Sequence, residues 1–364
     1  MNELHDKLLQ VREGPCLSVI VPQYRLAPER MQNPELLRKA IQKAKALAKE
    51  HELPDKLMTE LDRLTHQLNA PNYSRDGVGI FVSEPVSGIV SFPFPVQERV
   101  VIDSSFVTRD LYYLQQLSQP YYVAAIGKKQ IRLYSAHRDI LTEITDGEFP
   151  LTFEDEYEYA RPAPVFGHGR QEMADEKSRM IKVRTQSFFR DAHNEIARIM
   201  GSTPVPLIVA GTVESVADFR QQDTAQLIRG EIIGSFDEYN FQELRARAFE
   251  AFLEYRQKDL AERIAMVEEN DVPDRVARGI QNVWLAAQAG RGLTLLVEKD
   301  YETTGYVVDG YPQLFLSEPS REHKTLPAAV DEIIETVIAK GGNVLFADNG
   351  ALASLDRIAL QLRY

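Results

Sequence analysis

The sequence contains one cysteine, Cys16, one tryptophan, and no apolar run long enough to cross a bilayer. One cysteine excludes an internal disulfide and a cysteine metal cluster, which is typical of a reducing cytoplasm. A membrane helix needs about 20 consecutive apolar residues, and the N-terminal stretch has no apolar signal core. We therefore predict a cytoplasmic protein with no membrane partner, and a buried structural role for Cys16.

Common catalytic and nucleotide-binding motifs are also missing. The chain has no Gly-x-Gly-x-x-Gly sequence, no P-loop, no nucleophile elbow and no zinc-protease helix. The seven histidines are scattered, and none forms a pair at metal-ligand spacing. The residues therefore imply no metal and no organic cofactor.

The chain is acidic, with 42 Lys and Arg residues against 54 Asp and Glu residues and a net charge of −12. Such a chain does not coat nucleic acid indiscriminately. The balance is uneven. Residues 1–118 carry 14 basic and 15 acidic groups, residues 119–265 carry 19 and 24, and residues 266–364 carry 9 and 15. This distribution favours phosphate contacts in the first two segments and a protein partner for the last one.

The length of 364 residues and the order of the elements predict a mixed α/β (α+β) protein with three domains. The predicted domains are 1–118, 119–266 and 267–364. Pro120 marks the first joint, and a polar sequence ending at Pro273 marks the second.

Each predicted domain combines strands with amphipathic helices. In the first, the β-branched run 17–22 predicts a buried strand, and a helix begins near Asn33. In the second, three strands within 121–144 precede a long helix. The third is predicted to be a helix–strand, helix–strand sandwich. One face of its first helix would contain Val276, Ile280, Val283 and Ala287.

The most informative motif is Phe166-Gly-His-Gly-Arg-Gln171, which precedes a helix predicted from about Met173 to Met200. Gly167 and Gly169 permit backbone conformations that other residues avoid, so the motif predicts a loop. The helix is rich in cations, namely Lys177, Arg179, Lys182, Arg184, Arg190 and Arg198. Two interpretations stay open. The loop and helix are simply solvated, or a polar tip on a basic helix enters a negatively charged cavity.

A second motif, Glu154-Asp-Glu-Tyr-Glu158, concentrates carboxylates in a short stretch. Such a cluster is able to bind a divalent cation or to mimic a phosphate backbone. A solvated loop is the favoured interpretation, because charge runs usually lie in solvent.

The order of these pieces resembles the archaeo-eukaryotic (class I) peptide chain release factors and Pelota, and it looks closest to their bacterial relatives. The sequence 16–22 and the two following helices resemble the family's first domain. Residues 121–200 resemble its RNase H-like middle domain. Residues 273–364 are similar to its third domain, an α/β sandwich whose fold is shared with kink-turn-binding ribosomal proteins.

In that family a Gly-Gly-Gln loop enters the peptidyl transferase centre, where the glutamine places a water against the peptidyl-tRNA ester. The resemblance implies catalytic roles for Gln171, as that glutamine, and for Gly169, as the first glycine. It also implies contacts with ribosomal RNA or tRNA by His168, Arg170, Lys177, Arg179, Lys182 and Arg184. Arg170 replaces the second glycine, so two alternatives stay open. The chain either hydrolyses peptidyl-tRNA or binds the ribosome without hydrolysis.

The family reads stop codons with an Asn-Ile-Lys-Ser sequence, and Asn33-Pro-Glu-Leu36 stands in the similar place. The lysine is missing and a carboxylate is present, which predicts that stop-codon reading is lost. The resemblance thus implies a ribosome-associated protein that acts in rescue, quality control or stress, with the ribosome as partner. A non-catalytic, hibernation-type factor and a protein-interaction module are the alternatives, and the net charge favours the module.

Overall fold

The computed structural model describes residues 3–12, 14–68, 75–145, 147–153, 169–201, 205–236, 240–269 and 275–363, with the backbone alone over 169–178. The chain divides into two compact units. Unit 1 joins residues 1–116 to residues 262–364, and unit 2 comprises residues 117–261.

The first segment of unit 1 is an antiparallel sheet with helices. Its strands, in the spatial order β3-β2-β1-β4, are β1 (Cys16–Pro22), β2 (Gly77–Val82), β3 (Ser87–Phe92) and β4 (Arg99–Asp103). Its helices are α1 (Glu3–Gln10), α2 (Asn33–Glu50), α3 (Asp55–Gln67) and α4 (Arg109–Leu117).

Helices α2 and α3 pack on this sheet because their apolar residues recur every three or four positions. Ala40 and Ala44 of α2 are buried together with Leu57 and Leu61 of α3. Alternate residues of β1 complete the same core, since successive side chains of a strand point to opposite faces.

Cys16 begins β1 and is buried. Its thiol donates to the carbonyl oxygen of Ser104 at 3.7 Å, and burial raises its pKa to about 12. A thiol with this pKa is not a nucleophile at neutral pH. The predicted structural role of Cys16 is therefore confirmed.

Unit 2 is built around a mixed sheet of spatial order β10-β9-β5-β6-β7, in which β8 also pairs with β6. Its strands are β5 (Pro120–Ile126), β6 (Gln130–His137), β7 (Ile140–Glu143), β8 (Leu151–Thr152), β9 (Leu207–Gly211) and β10 (Ile228–Ile233). The associated helices are α5 (Gly169–Met200), α6 (Val213–Arg220) and α7 (Phe241–Glu268), whose last residues belong to unit 1.

Both faces of the central strands β5 and β9 are buried, because helices cover each side of the sheet there. Helices α5 and α6 pack on one face. Helix α7 packs on the other, where Phe252 stacks on Tyr121 with ring centroids 4.4 Å apart.

The last segment of unit 1 has a sheet of spatial order β11-β16-β12-β15, with a small ladder of β13 and β14 beside it. The strands are β11 (Val276–Arg278), β12 (Gly292–Glu298), β13 (Gly305–Val307), β14 (Lys324–Leu326), β15 (Asn343–Ala347) and β16 (Ile358–Leu362). The helices are α8 (Ile280–Gln288) and α9 (Ala329–Ala339).

One expectation for this segment is wrong. Val276 does not begin a helix face but lies in β11, which pairs with β16. Gly279 separates the strand from α8 with a φ of +73°, a left-handed conformation that glycine adopts at little cost. Strand pairing at Val276 and this turn therefore outweigh the helical spacing of its apolar residues.

The described residues confirm the predicted mixed α/β class. Unit 1 contains both the first and the last predicted domains, and they share a core. Tyr112 of α4 is buried in the same apolar cluster as Val283, Ile333 and Ile334 of the last segment. The division into three domains at 118 and 266 stays a prediction, and the compact units divide near 116 and 261.

Candidate functional site

Helix α5 has two halves with different environments, and its C-terminal half belongs to the core of unit 2. The buried residues there recur at spacings of three and four and are Phe189, Ala192, Ile196 and Met200. This spacing places them on one helix face, against the sheet. The C-terminal half therefore fixes the direction of the whole helix.

The described part of the N-terminal half is exposed. Residues 179–184 are all exposed, including the apolar Met180 and Val183, and Val183 is 64% accessible. Six consecutive residues cover more than one helical turn of 3.6 residues. No face of this stretch is covered, so α5 extends beyond the core of unit 2.

The sequence motif lies at the far end of this extension. Gln171 precedes Phe188 by 17 residues, which at 1.5 Å per residue is about 26 Å along the axis. Phe188 marks the base, since its ring lies 5.4 Å from that of Phe153, next to β8. His168, the rest of the glycine motif and the acidic stretch 154–158 lie outside the described residues.

The helix begins earlier than the sequence predicts. Gly169, Arg170 and Gln171 form the first turn of α5 instead of a loop before it. Arginine, glutamine, glutamate and methionine are all strong helix formers, and they occupy 170–173. Their summed propensity outweighs the glycine at position 169, which costs little at a helix start.

The predicted cations divide into several groups. Arg179 and Lys182 are exposed, and a rotation of about 100° per residue places both near the face of Arg190. Arg184 is exposed on a different side of the helix. Arg198 pairs with Glu195 at 2.5 Å, and Lys177 lies where the backbone alone is described. The face of Arg179 and Lys182 is suited to contact phosphates, which ammonium and guanidinium groups bind regardless of base sequence.

A buried pair that the sequence analysis missed holds the base of α5. The Nε2 atom of His193 lies 3.0 Å from Oδ1 of Asp223, and both side chains are less than 10% exposed. Asp223 also accepts hydrogen bonds from the backbone N–H groups of Leu227 and Ile228. Burial by itself raises the pKa of Asp223, but these hydrogen bonds hold it below its ordinary value.

This pair had a weak sequence signal. His193 follows Ala192 in the apolar stripe of α5, and Asp223 precedes a strand by a few residues. An aspartate in that position often binds backbone N–H groups of a turn. Periodicity does not reveal that the two side chains meet, because they are 30 residues apart.

We expect Asp223→Ala to loosen the base of α5. Removing the carboxylate leaves two backbone N–H groups and His193 without their acceptor, at a cost of about 1–3 kcal/mol. Hydrogen exchange of the C-terminal half of α5 measures the effect. The exposed Asp191→Ala on the same helix is the matched control. Equal exchange in the two variants contradicts the anchoring role.

Neither a metal centre nor a membrane helix is found in the described parts of the chain. Within those ranges, no three His, Cys, Asp or Glu residues cluster in a way that would hold a metal ion. Within the same ranges, no helix is long and apolar enough to span a bilayer.

Comparison with known proteins bears on this region. Residues 120–291, which include all of α5, match the family model "Bacterial archaeo-eukaryotic release factor family 3". No curated protein matches the sequence.

Solved structures are similar to the chain only at low sequence identity and low TM-score. Pelota from Archaeoglobus fulgidus is 17% identical, with 76% of each chain covered and a TM-score of 0.34. S. cerevisiae Dom34, a translation termination-like factor, is 12% identical, with 79% of each chain covered and a TM-score of 0.38. An archaeal Pelota in a model of its ribosome-bound state with ABCE1 is 12% identical, covers 100% of this chain and 94% of that one, and has a TM-score of 0.42.

The family match is independent of these structures, whose TM-scores are all below 0.5. It spans the sheet of unit 2, the buried half of α5 and the exposed half that carries Gly169 and Gln171. This is the region in which the sequence motif and its order of elements indicate the same family. Over residues 120–291, a little under half of its length, the chain is similar to the bacterial archaeo-eukaryotic release factors.

Proposed function

We propose that the chain binds the ribosome and acts in rescue, quality control or translational stress, without reading a stop codon. The observation that carries this proposal is the extension of α5, which places Gln171 about 26 Å and Gly169 about 29 Å from the base of the helix. The family match over residues 120–291 supports the same assignment. A cytoplasmic location follows from this partner.

The exposed half of α5 fits a narrow cavity lined by RNA phosphates. A single helix is about 10–12 Å wide with its side chains, narrower than a folded domain. Arg179 and Lys182 on one exposed face supply positive charge within a chain of net charge −12. Local positive charge is sufficient for contact with phosphates, because screening limits the influence of distant carboxylates to about 8–10 Å.

If the tip is catalytic, the reaction is hydrolysis of the peptidyl-tRNA ester. A water oxygen attacks the ester carbonyl carbon, the bond to the ribose oxygen breaks, and the water supplies the protons for both products. The Gln171 amide would orient that water, since a neutral amide is a poor base. Orientation alone contributes up to about 7–11 kcal/mol. This reaction needs no metal or organic cofactor.

Occupancy without hydrolysis is the second candidate, and one observation favours it. Gly169, Arg170 and Gln171 belong to the first turn of α5. A helical backbone with arginine in place of glycine has less freedom to adapt to a tight site. A hibernation-type factor needs only the helix and its charges. A protein-interaction module is the third outcome, and the acidic last segment suits a protein partner.

The loss of stop-codon reading is supported in the first segment. Asn33 accepts from the Tyr24 backbone N–H at 2.9 Å, and its amide donates to the Tyr24 carbonyl at 3.0 Å. Glu35 pairs with Arg38 at 2.7 Å. The polar side chains in this place therefore bond within the chain and present a carboxylate instead of a lysine.

We expect Gln171→Ala to separate the first two candidates. If the chain hydrolyses peptidyl-tRNA, this variant slows peptide release at least about tenfold, about 1.4 kcal/mol of barrier, with ribosome binding nearly unchanged. Arg170→Gly then preserves or raises the rate, because it restores backbone freedom. The measurement is single-turnover release from ribosomes that carry labelled peptidyl-tRNA.

Two other outcomes of the release measurement would lead to different assignments. No release by the wild-type chain, together with normal binding, assigns it to occupancy. Release by Gln171→Ala at the wild-type rate removes Gln171 from the mechanism.

A further inference from the structure

The first and last segments of unit 1 meet along a polar and aromatic seam. Tyr113 of α4 packs between Phe94 and Phe346, with ring centroids 4.6 and 5.7 Å away, and Nζ of Lys299 lies 4.6 Å from its ring centre. The Gln116 amide donates to the Val344 carbonyl. The seam therefore joins residues more than 180 positions apart in sequence.

Buried ion pairs lie along the same seam. Arg109 and Asp331 pair at 2.8 Å with side chains 1% and 5% exposed. Arg99 of β4 contacts Asp110 at 2.7 Å and Glu302 of the last segment at 2.5 Å. Taking such charges out of water is costly, so Arg109 and Asp331 depend on each other across the seam, whereas Arg99 is paired both within its own segment and across the seam.

The carboxyl group of Glu335, in α9, lies at one end of the seam. Arg12 lies 3.1 Å from its Oε2 atom, and the Thr108 hydroxyl donates to Oε1 at 2.9 Å. Both partners belong to the first segment. The other titratable or charged groups near it are Cys16, Tyr112, Asp331 and Glu332, with Asp103 and Lys324 beside Glu332.

We propose that this seam is a proton-dependent latch between the first and last segments of unit 1, with Glu335 as the group that takes up the proton on closure. Protonation removes a buried negative charge that faces Asp331 and Glu332 along its own helix. Mild acidification thus favours the closed seam. This inference is independent of ribosome binding.

The direction of the effect follows from burial. Burial raises the pKa of Glu335 to about 7, although Arg12 and the Thr108 hydroxyl oppose the rise. It raises the pKa of Asp110 to about 6, although Arg99 and Arg109 oppose it. A carboxyl whose pKa is higher in the closed state binds more protons there, so closure strengthens as the pH falls and weakens as it rises through about 7.

The size of the effect is measurable. We assume that each carboxyl returns to its ordinary pKa when the seam opens. A change from pH 8 to pH 6 then raises the equilibrium constant for closure of the seam about tenfold through Glu335 and about twofold through Asp110. Burial lowers the pKa of His5, which has the opposite sign. His5 bonds to the Leu111 carbonyl within the first segment, so opening of the seam leaves its contact intact.

Hydrogen exchange of the full-length chain at pH 6, 7 and 8, corrected for intrinsic exchange, tests the latch. Protection of α4 and α9 in the wild type should be at least tenfold greater at pH 6 than at pH 8, while β5 and β9 of unit 2 stay constant. Glu335→Gln should reduce the difference to about twofold. Thr108→Val removes a hydrogen bond that favours the charged carboxyl, so it should move the transition to higher pH.

Glu60→Gln is the matched control, because the pKa of Glu60 is about 2, held there by Arg63 and Ser87. It should retain the wild-type dependence on pH. Three results overturn the latch: no dependence in the wild type, equal dependence in Glu335→Gln, or an equal change in β5 and β9.

Discussion

Replacing Arg109 with alanine is expected to lower the free energy of unfolding of unit 1 by about 3–5 kcal/mol. The Arg109 guanidinium donates to Asp331 at 2.8 Å and to the Lys299 carbonyl at 3.3 Å, and its backbone N–H donates to Asp331 at 3.1 Å. Without the guanidinium, the Asp331 carboxylate stays buried without its counter-charge. Most of the loss comes from this uncompensated charge.

The double variant Arg109→Met, Asp331→Asn should recover most of that loss, because it removes both charges and keeps an amide oxygen that accepts from the backbone N–H at position 109. A buried ion pair is often no more stabilising than apolar residues of similar volume. The Nε atom of Arg109 is buried and has no partner in the described part of the chain, which further lowers the net contribution of the pair. Recovery in the double variant would show that the cost lies in breaking the pair and not in lost packing.

Denaturant unfolding followed by the fluorescence of Trp284 measures both variants. Trp284 is the single tryptophan, and it is buried in the core of unit 1. Arg38→Ala, which breaks an exposed pair with Glu35, is the control and should leave the midpoint nearly unchanged. A loss below about 1 kcal/mol in Arg109→Ala contradicts the assignment of this pair as a structural element of unit 1.

The double variant Arg179→Gln, Lys182→Gln is expected to weaken ribosome binding at least about tenfold at physiological salt. Each lost phosphate contact lowers the dependence of log Kd on log salt by about one. The slope should therefore fall by about two, and the loss of affinity should shrink as salt rises. Binding measured at several salt concentrations gives both quantities.

A variant with the same change of charge is the control. Lys43 and Lys49 are exposed on α2, and Lys43→Gln, Lys49→Gln removes two positive charges far along the sequence from α5. An equal loss in both double variants would indicate a general effect of charge. A loss without a change of slope would show that Arg179 and Lys182 do not contact phosphates.

Elements stabilised by neighbours in sequence were predictable. Helix α2 begins at Asn33 as its sequence indicates, and β5, β6 and β7 occupy the three strands predicted within 121–144. Their apolar spacing is a short-range signal that needs no knowledge of the partner. Helix α4 and strand β10 were not predicted. Helix α4 carries buried Arg109 and Asp110 where a core stripe is normally apolar.

The seam of unit 1 was not predictable for a different reason. Arg99 and Glu302 are 203 residues apart, and charged residues in a sequence normally indicate a solvated surface. The two segments therefore looked independent. Only the fold brings their charges together and removes them from water.

The candidate site was predicted in part. The motif, the long helix and its cations were identified from sequence, whereas the start of α5 at Gly169 and the anchor of His193 and Asp223 were not. The two glycines of the motif favoured a loop in the prediction, although the residues after them are strong helix formers. The anchor depends on a tertiary contact, which the sequence does not reveal.

Co-sedimentation of the full-length chain with ribosomes from growing and stressed cells tests the central proposal most directly. We expect the chain in the ribosomal fractions of at least one of these conditions, with release at high salt, because contacts with phosphates weaken as counterions compete. Absence from the ribosomal fractions in both conditions at low salt would contradict ribosome binding, whether catalytic or not.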